Sequence, residues 1–193
     1  MLIKNEFEVA APVEKVWAFF GDIPQVATCL PGTELTDDLG DDRYAGRVAI
    51  RMGPVRLSFD GTAQVTERDE AAHRMVVDAN GSEAKGRGQA SMTVTATLAR
   101  AGRGTKVAVD QDLQLSGAAA QYGRGMISDV SSVLMNDFSR NLADRISRAD
   151  RGEAAAAGPV ASASGLALGL RAARMALSRV FRRFFLPYTT AAS

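Results

Sequence analysis

The chain has 193 residues, with 23 Lys and Arg against 22 Asp and Glu, and 46% of its residues are apolar. That length supports one hydrophobic core with an appendage. A single cysteine, Cys29, excludes an internal disulfide, and a single histidine, His73, without Cys, His or acidic residues at ligand spacing, argues against a metal site.

The near-neutral total hides an asymmetry. Residues 1–153 carry all 22 acids against 18 basic side chains, a net of −4, whereas the remainder carries five arginines and no acid. Such a split suggests a tail with a partner of its own. No apolar run reaches the ~18 to 20 residues that would span a bilayer. The first residues, Met1 to Val9, alternate like a strand and do not read as a signal peptide.

In chain order, Leu2 to Val9 predicts a strand. Pro12 suits a first helical position, Val13, Val16, Trp17 and Phe20 have helical spacing, and Gly21 ends that helix. Asp22 can cap a second short helix through Pro24, Val26 and Ala27, which Cys29-Leu30-Pro31-Gly32 breaks. Six strands follow. Glu34 to Asp37 is short, and Leu39 to Asp42 turns the chain. Tyr44 to Met52 and Val55 to Val65 alternate apolar or small residues with polar ones across a Gly53-Pro54 turn. His73 to Ala79 is predicted to end at the turn signal Asn80-Gly81. Ala90 to Leu98 and Val107 to Leu115 complete the set, with a turn at Gly102-Arg103-Gly104. Period two with one polar face marks an antiparallel sheet covered on one side.

Ala119 to Arg148 then reads as one long helix. Met126, Val130, Leu134, Phe138, Leu142 and Ile146 recur every four residues, and Ile127 and Val133 widen the row. Gly123 and Gly125 in its first turn cost ~1 kcal/mol each inside a helix. Close packing, a frayed start or room for another molecule would each account for them. The order strand, two helices, six strands, long helix predicts an α+β helix-grip fold over residues 1–149, a curved seven-stranded antiparallel sheet wrapped around its last helix.

The inward positions suggest a cavity. Gly46, Gly61, Ala63, Ala79, Ala90 and Ala96 are small, and Met52, Met75, Met92 and Met126 adapt to irregular apolar shapes. The predicted ligand-binding set is Leu57, Phe59, Met75, Met92, Val94, Met126, Val130 and Tyr122. Tyr44, Tyr122 and Gln111 could add polar contacts but form no acid/base pair. No catalytic residue is assigned. Three Gly-Arg-Gly triplets, beginning at Gly86, Gly102 and Gly123, lack the context of a nucleotide loop. His73 reads as a satisfied or exposed side chain and Cys29 as core.

Residues 150–164, rich in Ala, Gly and Ser, read as a linker. Residues 165–193 form a basic amphipathic tail with a helical pattern over Gly165 to Leu186. Leu166, Leu170, Ala173, Leu177, Val180, Phe181 and Phe184 share one face, and Arg171, Arg174, Arg179, Arg182 and Arg183 the other. This is the composition of a segment lying in an anionic membrane interface. A helix that docks on protein is the alternative, and the continuous apolar face argues against nucleic acid.

Several short motifs fall in order: Ala11-Pro12-Val13-Glu14-Lys15-Val16-Trp17, Leu30-Pro31-Gly32, Gly53-Pro54-Val55, Phe59-Asp60-Gly61, Gly104-Thr105, Gly117, Gly123-Arg124 and Phe138. As a set they resemble the carbon monoxide dehydrogenase G-subunit family, within the START/Bet v 1-like (SRPBCC) superfamily, over roughly residues 1 to 148. The resemblance implies a non-enzymatic accessory protein at the inner face of the cytoplasmic membrane, partnered with a molybdenum hydroxylase. It also implies a hydrophobic cavity whose carried ligand would be a quinone, menaquinone or ubiquinone, with no covalent cofactor. A cyclase or hydratase-like enzyme of the same fold and a pure recruitment adaptor without ligand are the alternatives.

Overall fold

The computed structural model describes residues 1–52 and 55–152, apart from the side chains of Met52 and Val55. The inward placement of Met52, the Gly53-Pro54 turn and the membrane-binding assignments at Leu170, Arg171, Arg174, Leu177, Arg179, Phe181, Arg182, Arg183 and Phe184 lie outside the described residues.

The elements are β1 (Leu2–Val9), α1 (Val13–Phe20), α2 (Ile23–Cys29), β2 (Thr33–Gly40), β3 (Arg43–Met52), β4 (Val55–Asp69), β5 (Arg74–Glu83), β6 (Gln89–Ala101), β7 (Gly104–Leu115) and α3 (Arg124–Asp150). The strands form one antiparallel sheet in the order β1-β7-β6-β5-β4-β3-β2. Consecutive strands from β2 to β7 are neighbours, and β1 closes onto β7, so α1 and α2 cross from one edge of the sheet to the other. The chain is thus the α+β helix-grip fold that its element order predicts.

Local chemistry accounts for the helix boundaries. Pro12 sits one position earlier than expected, as the cap of α1 with extended backbone. The Asp22 carboxylate accepts a hydrogen bond from the Gln25 amide and caps α2 as predicted. Extended Leu30 ends α2.

Two further expectations are corrected. Asn80-Gly81 is no turn but lies inside β5, where Gly61 of β4 pairs with Gly81. A Cβ on Gly61 would stand 2.0 Å from the Asn80 carbonyl oxygen and 2.6 Å from the Gly81 Cα. The glycine is there for close backbone approach, not reversal. The long helix begins at Arg124, not Ala119. Residues Gly117–Gln121 form a separate 3-10 turn, and Gly123, at φ 41°, redirects the chain into α3. A Cβ would meet nothing within 4 Å at Gly123 or Gly125, so neither glycine serves close packing. At its other end α3 runs past Arg148 to Asp150, whose carboxylate ion-pairs with Lys15 of α1.

The core occupies one end of the grip. Val16, Phe20, Leu98, Val107, Leu142 and Ile146 are buried there. The Phe138 ring stands edge-on to Phe7 at 5.8 Å and to Phe20 at 6.2 Å. The Asn141 amide donates to the Cys29 carbonyl at 2.9 Å, tying α3 to α2. Thr105, fully buried, donates to the Ala11 carbonyl at 2.7 Å and fixes the entry to α1. Cys29 is core, as expected, and burial pushes its thiol up to about 11. His73 is half-buried, edge-on to Trp17 at 5.5 Å.

Candidate functional site: an apolar cavity under the long helix

Past Phe138, towards its N-terminus, α3 leaves this core. Met126 and Val133 are 42% and 44% exposed, although the step of four puts Met126 on the same stripe as buried Leu142 and Val133 beside it. The sheet leaves space beneath this half of the helix, and many of its inward positions there are small. Gly46, Gly61, Ala63, Ala79, Ala90 and Ala96 all face the resulting space. The cavity volume is about 460 Å³, within the range of small-molecule sites.

All eight residues predicted for the ligand set stand on the wall. Leu57 and Phe59 come from β4, Met75 from β5, and Met92 and Val94 from β6. Met126 and Val130 come from α3, and Tyr122 from the segment before it. Met75 is shared with the core at 3% exposure. The cavity is partly open to solvent, and Val48 of β3 and Met126 of α3, both on its wall, are more than a third exposed.

A polar clamp supports the Tyr122 side of the wall. Glu83, at the end of β5, is 4% exposed and accepts hydrogen bonds from the Lys85 amide at 2.9 Å and from the Arg87 guanidinium at 3.1 Å. The Arg87 guanidinium and these loop amides hold its carboxyl below the usual range against the opposing effect of burial. The Arg87 carbonyl in turn accepts from the Ala118 amide at 2.7 Å, fixing the 3-10 turn that leads to Tyr122. Sequence reading passed over Glu83. Its signal is an acid four residues before the arginine of a Gly-Arg-Gly turn.

The wall is otherwise almost wholly apolar. Among the described residues its titratable side chains are Tyr44, Arg47 and Tyr122. Burial, and then the charges of Asp38 and Asp42, push the Tyr44 phenol up, so it stays a neutral hydroxyl at physiological pH. Arg47 is ion-paired with Asp60 at 2.6 Å. Asn5 and Ser131, which the sequence reading passes over, join Gln111, one of the three polar contacts it names, on the inner face. Among the described residues no cluster of His, Cys and acids could hold a metal, and no helix is long and apolar enough to cross a membrane.

Solved structures share this fold. A conserved protein from Geobacillus kaustophilus superposes with a TM-score of 0.69 at 21% identity, covering 77% of this chain and 97% of its own. The Zhui aromatase/cyclase from Streptomyces sp. R1128 gives 0.55 at 15% identity, covering 83% and 99%. A START superfamily protein from Mycobacterium smegmatis gives 0.52 at 16%, covering 77% and 98%. No curated protein sequence matches significantly. The family model for the carbon monoxide dehydrogenase G-subunit, CoxG, matches residues 6–147, the sheet together with nearly all of α3, and the chain therefore belongs to the carbon monoxide dehydrogenase G-subunit (CoxG) family.

Proposed function

We propose that the protein is a non-enzymatic carrier that holds a hydrophobic molecule in this cavity and serves a molybdenum hydroxylase of the carbon monoxide dehydrogenase type at the cytoplasmic membrane. The observation that carries the reading is the apolar cavity of about 460 Å³ left by small sheet residues under a helix that could have been packed. A respiratory quinone, menaquinone or ubiquinone, suits it. Such a ligand is apolar over most of its surface and would pass between a membrane and an enzyme. Family membership supports the accessory role and the enzyme partner. The basic amphipathic pattern of residues 165–186 supports peripheral attachment, with arginines on anionic lipid and Phe181 and Phe184 in the interface.

A cyclase like the Streptomyces neighbour is the competing reading. It would need an acid and a base converging on the cavity, and the described wall offers two tyrosines and an ion-paired arginine.

Native mass spectrometry after incubation with a decyl-substituted benzoquinone tests the carrier. One molecule is expected to bind, and Ala79→Phe, which fills the cavity from β5, should abolish binding with the fold retained. No binding, or equal binding to the filled variant, would overturn the reading. Flotation with vesicles tests the attachment. The full chain should float with phosphatidylglycerol vesicles, and a chain lacking residues 165–193 should not. Changing Arg179, Arg182 and Arg183 to Gln should weaken binding to anionic vesicles far more than to neutral ones.

A further inference from the structure

One polar spot of the cavity is built from three separate elements. Gln111 occupies an inward position of β7, between Val109 and Leu113, and is 7% exposed. Its side-chain carbonyl accepts a hydrogen bond from the Ser131 hydroxyl of α3 at 3.1 Å. That hydroxyl accepts from the Asn5 amide of β1 at 3.2 Å. Ser131 is likewise 7% exposed. The chain of bonds fixes the oxygen end of the Gln111 amide and, because the group is planar, its nitrogen end as well.

A glutamine amide carries two N–H donors on Nε2. Neither is used by any described residue. Yet every side-chain nitrogen or oxygen fully shut away among the described residues has a hydrogen-bond partner. Nε2 must therefore border open space, and the space beside Gln111 is the cavity. A buried donor is retained at a cost unless something accepts from it.

We infer that the Gln111 amide is the head-group site of the cavity. It takes a neutral lipophile that ends in a hydrogen-bond acceptor such as a ketone or quinone carbonyl, and Ser131 and Asn5 are positioning residues that aim the amide. An ionised carboxylate is disfavoured. An amide cannot offset the desolvation of a full charge, and the only cation on the described wall, Arg47, is already paired with Asp60. The inference rests on the carrier reading and narrows its ligand class.

The test is displacement of bound phenylnaphthylamine from the full chain by methyl nonyl ketone, undecane and undecanoate, which share one chain length. The wild type should bind the ketone about tenfold more tightly than either of the others, the size of one well-made buried hydrogen bond. Gln111→Leu should lose that preference while its affinity for undecane stays within about twofold. Ser131→Ala should reduce it about threefold. Infrared spectroscopy supplies a second readout. The carbonyl stretch of bound ketone should move to lower frequency in the wild type, broaden in Ser131→Ala and return to its hydrocarbon-solvent position in Gln111→Leu. A preference that survives Gln111→Leu, equal affinities in the wild type, or an unshifted stretch would each overturn the head-group site while leaving the carrier intact. If phenylnaphthylamine and all three ligands fail to bind the wild type, the carrier reading itself falls, and this inference with it. Should Gln111→Leu not fold, the wild-type infrared shift alone decides.

Discussion

The two halves of α3 obey one sequence rule and meet opposite fates. From Phe138 to Ile146 the apolar step of four drives side chains into a core in which Leu142 is fully buried. From Met126 to Leu134 the same step hangs side chains over a cavity, with Met126 42% exposed. The difference lies in what faces the helix. The closed half meets Phe7, Phe20 and Val107, which are large or branched. The open half meets Gly61, Ala63 and Ala79, which cannot reach it. The two ends of the helix also differ. The Asp150 end is held by Lys15, whereas the Arg124 end has no side-chain cap and no acid in its first turn to complement the macrodipole. Stability thus resides in one half of the grip, and room for a ligand in the other.

The comparison can be broken first where its effect should be largest. Leu142→Ala empties a fully buried site in the closed half and should cost ~3 to 5 kcal/mol in denaturant unfolding. Val130→Ala, on the same helix but over the cavity, should cost less than ~1 kcal/mol, because the space beneath it is already unfilled. Equal costs would mean that the two halves do not differ. Gly61→Ala falls between them. Its Cβ would strike the β5 backbone, and overpacking of this kind costs ~1 to 3 kcal/mol, readable in the same unfolding experiment.

A pH series sharpens the picture at the loop bordering the open half. The Glu83 carboxyl is more acidic in the folded chain than its ordinary value of 4.5. Its ionised form therefore stabilises the fold. That contribution is complete above about 4.5 and is lost as pH falls through the lower folded value. Thermal unfolding between neutral pH and acid should show Glu83→Gln less stable than the wild type at neutral pH, with the two curves converging in acid. Curves that stay parallel would remove Glu83 as the clamp. The smallest effect is chemical. With its thiol pushed up to about 11, Cys29 should resist alkylation by iodoacetamide at mildly alkaline pH until the closed half unfolds.

Much of this was legible in the chain itself. Alternation in the strands, the helical spacing of Val13, Val16 and Phe20, and the Asp22 cap each act over a few residues, so local pattern specifies them. The small inward residues announced a cavity, and the ligand set predicted from the inward faces of the strands and of the long helix lies on its wall. Other features depended on neighbours distant in sequence. Asn80-Gly81 has the composition of a turn, but its approach to Gly61 across the ladder keeps it in a strand. The row from Met126 to Ile146 is uniform in sequence, and what stands opposite it in the tertiary structure divides it into core and cavity wall. The junction of Asn5, Gln111 and Ser131 joins positions up to 126 residues apart, and the tertiary structure alone brings them together. Spacing fixes which face a side chain takes, whereas the distance to the opposite wall, and with it burial or an open cavity, is set by residues contributed from elsewhere in the chain.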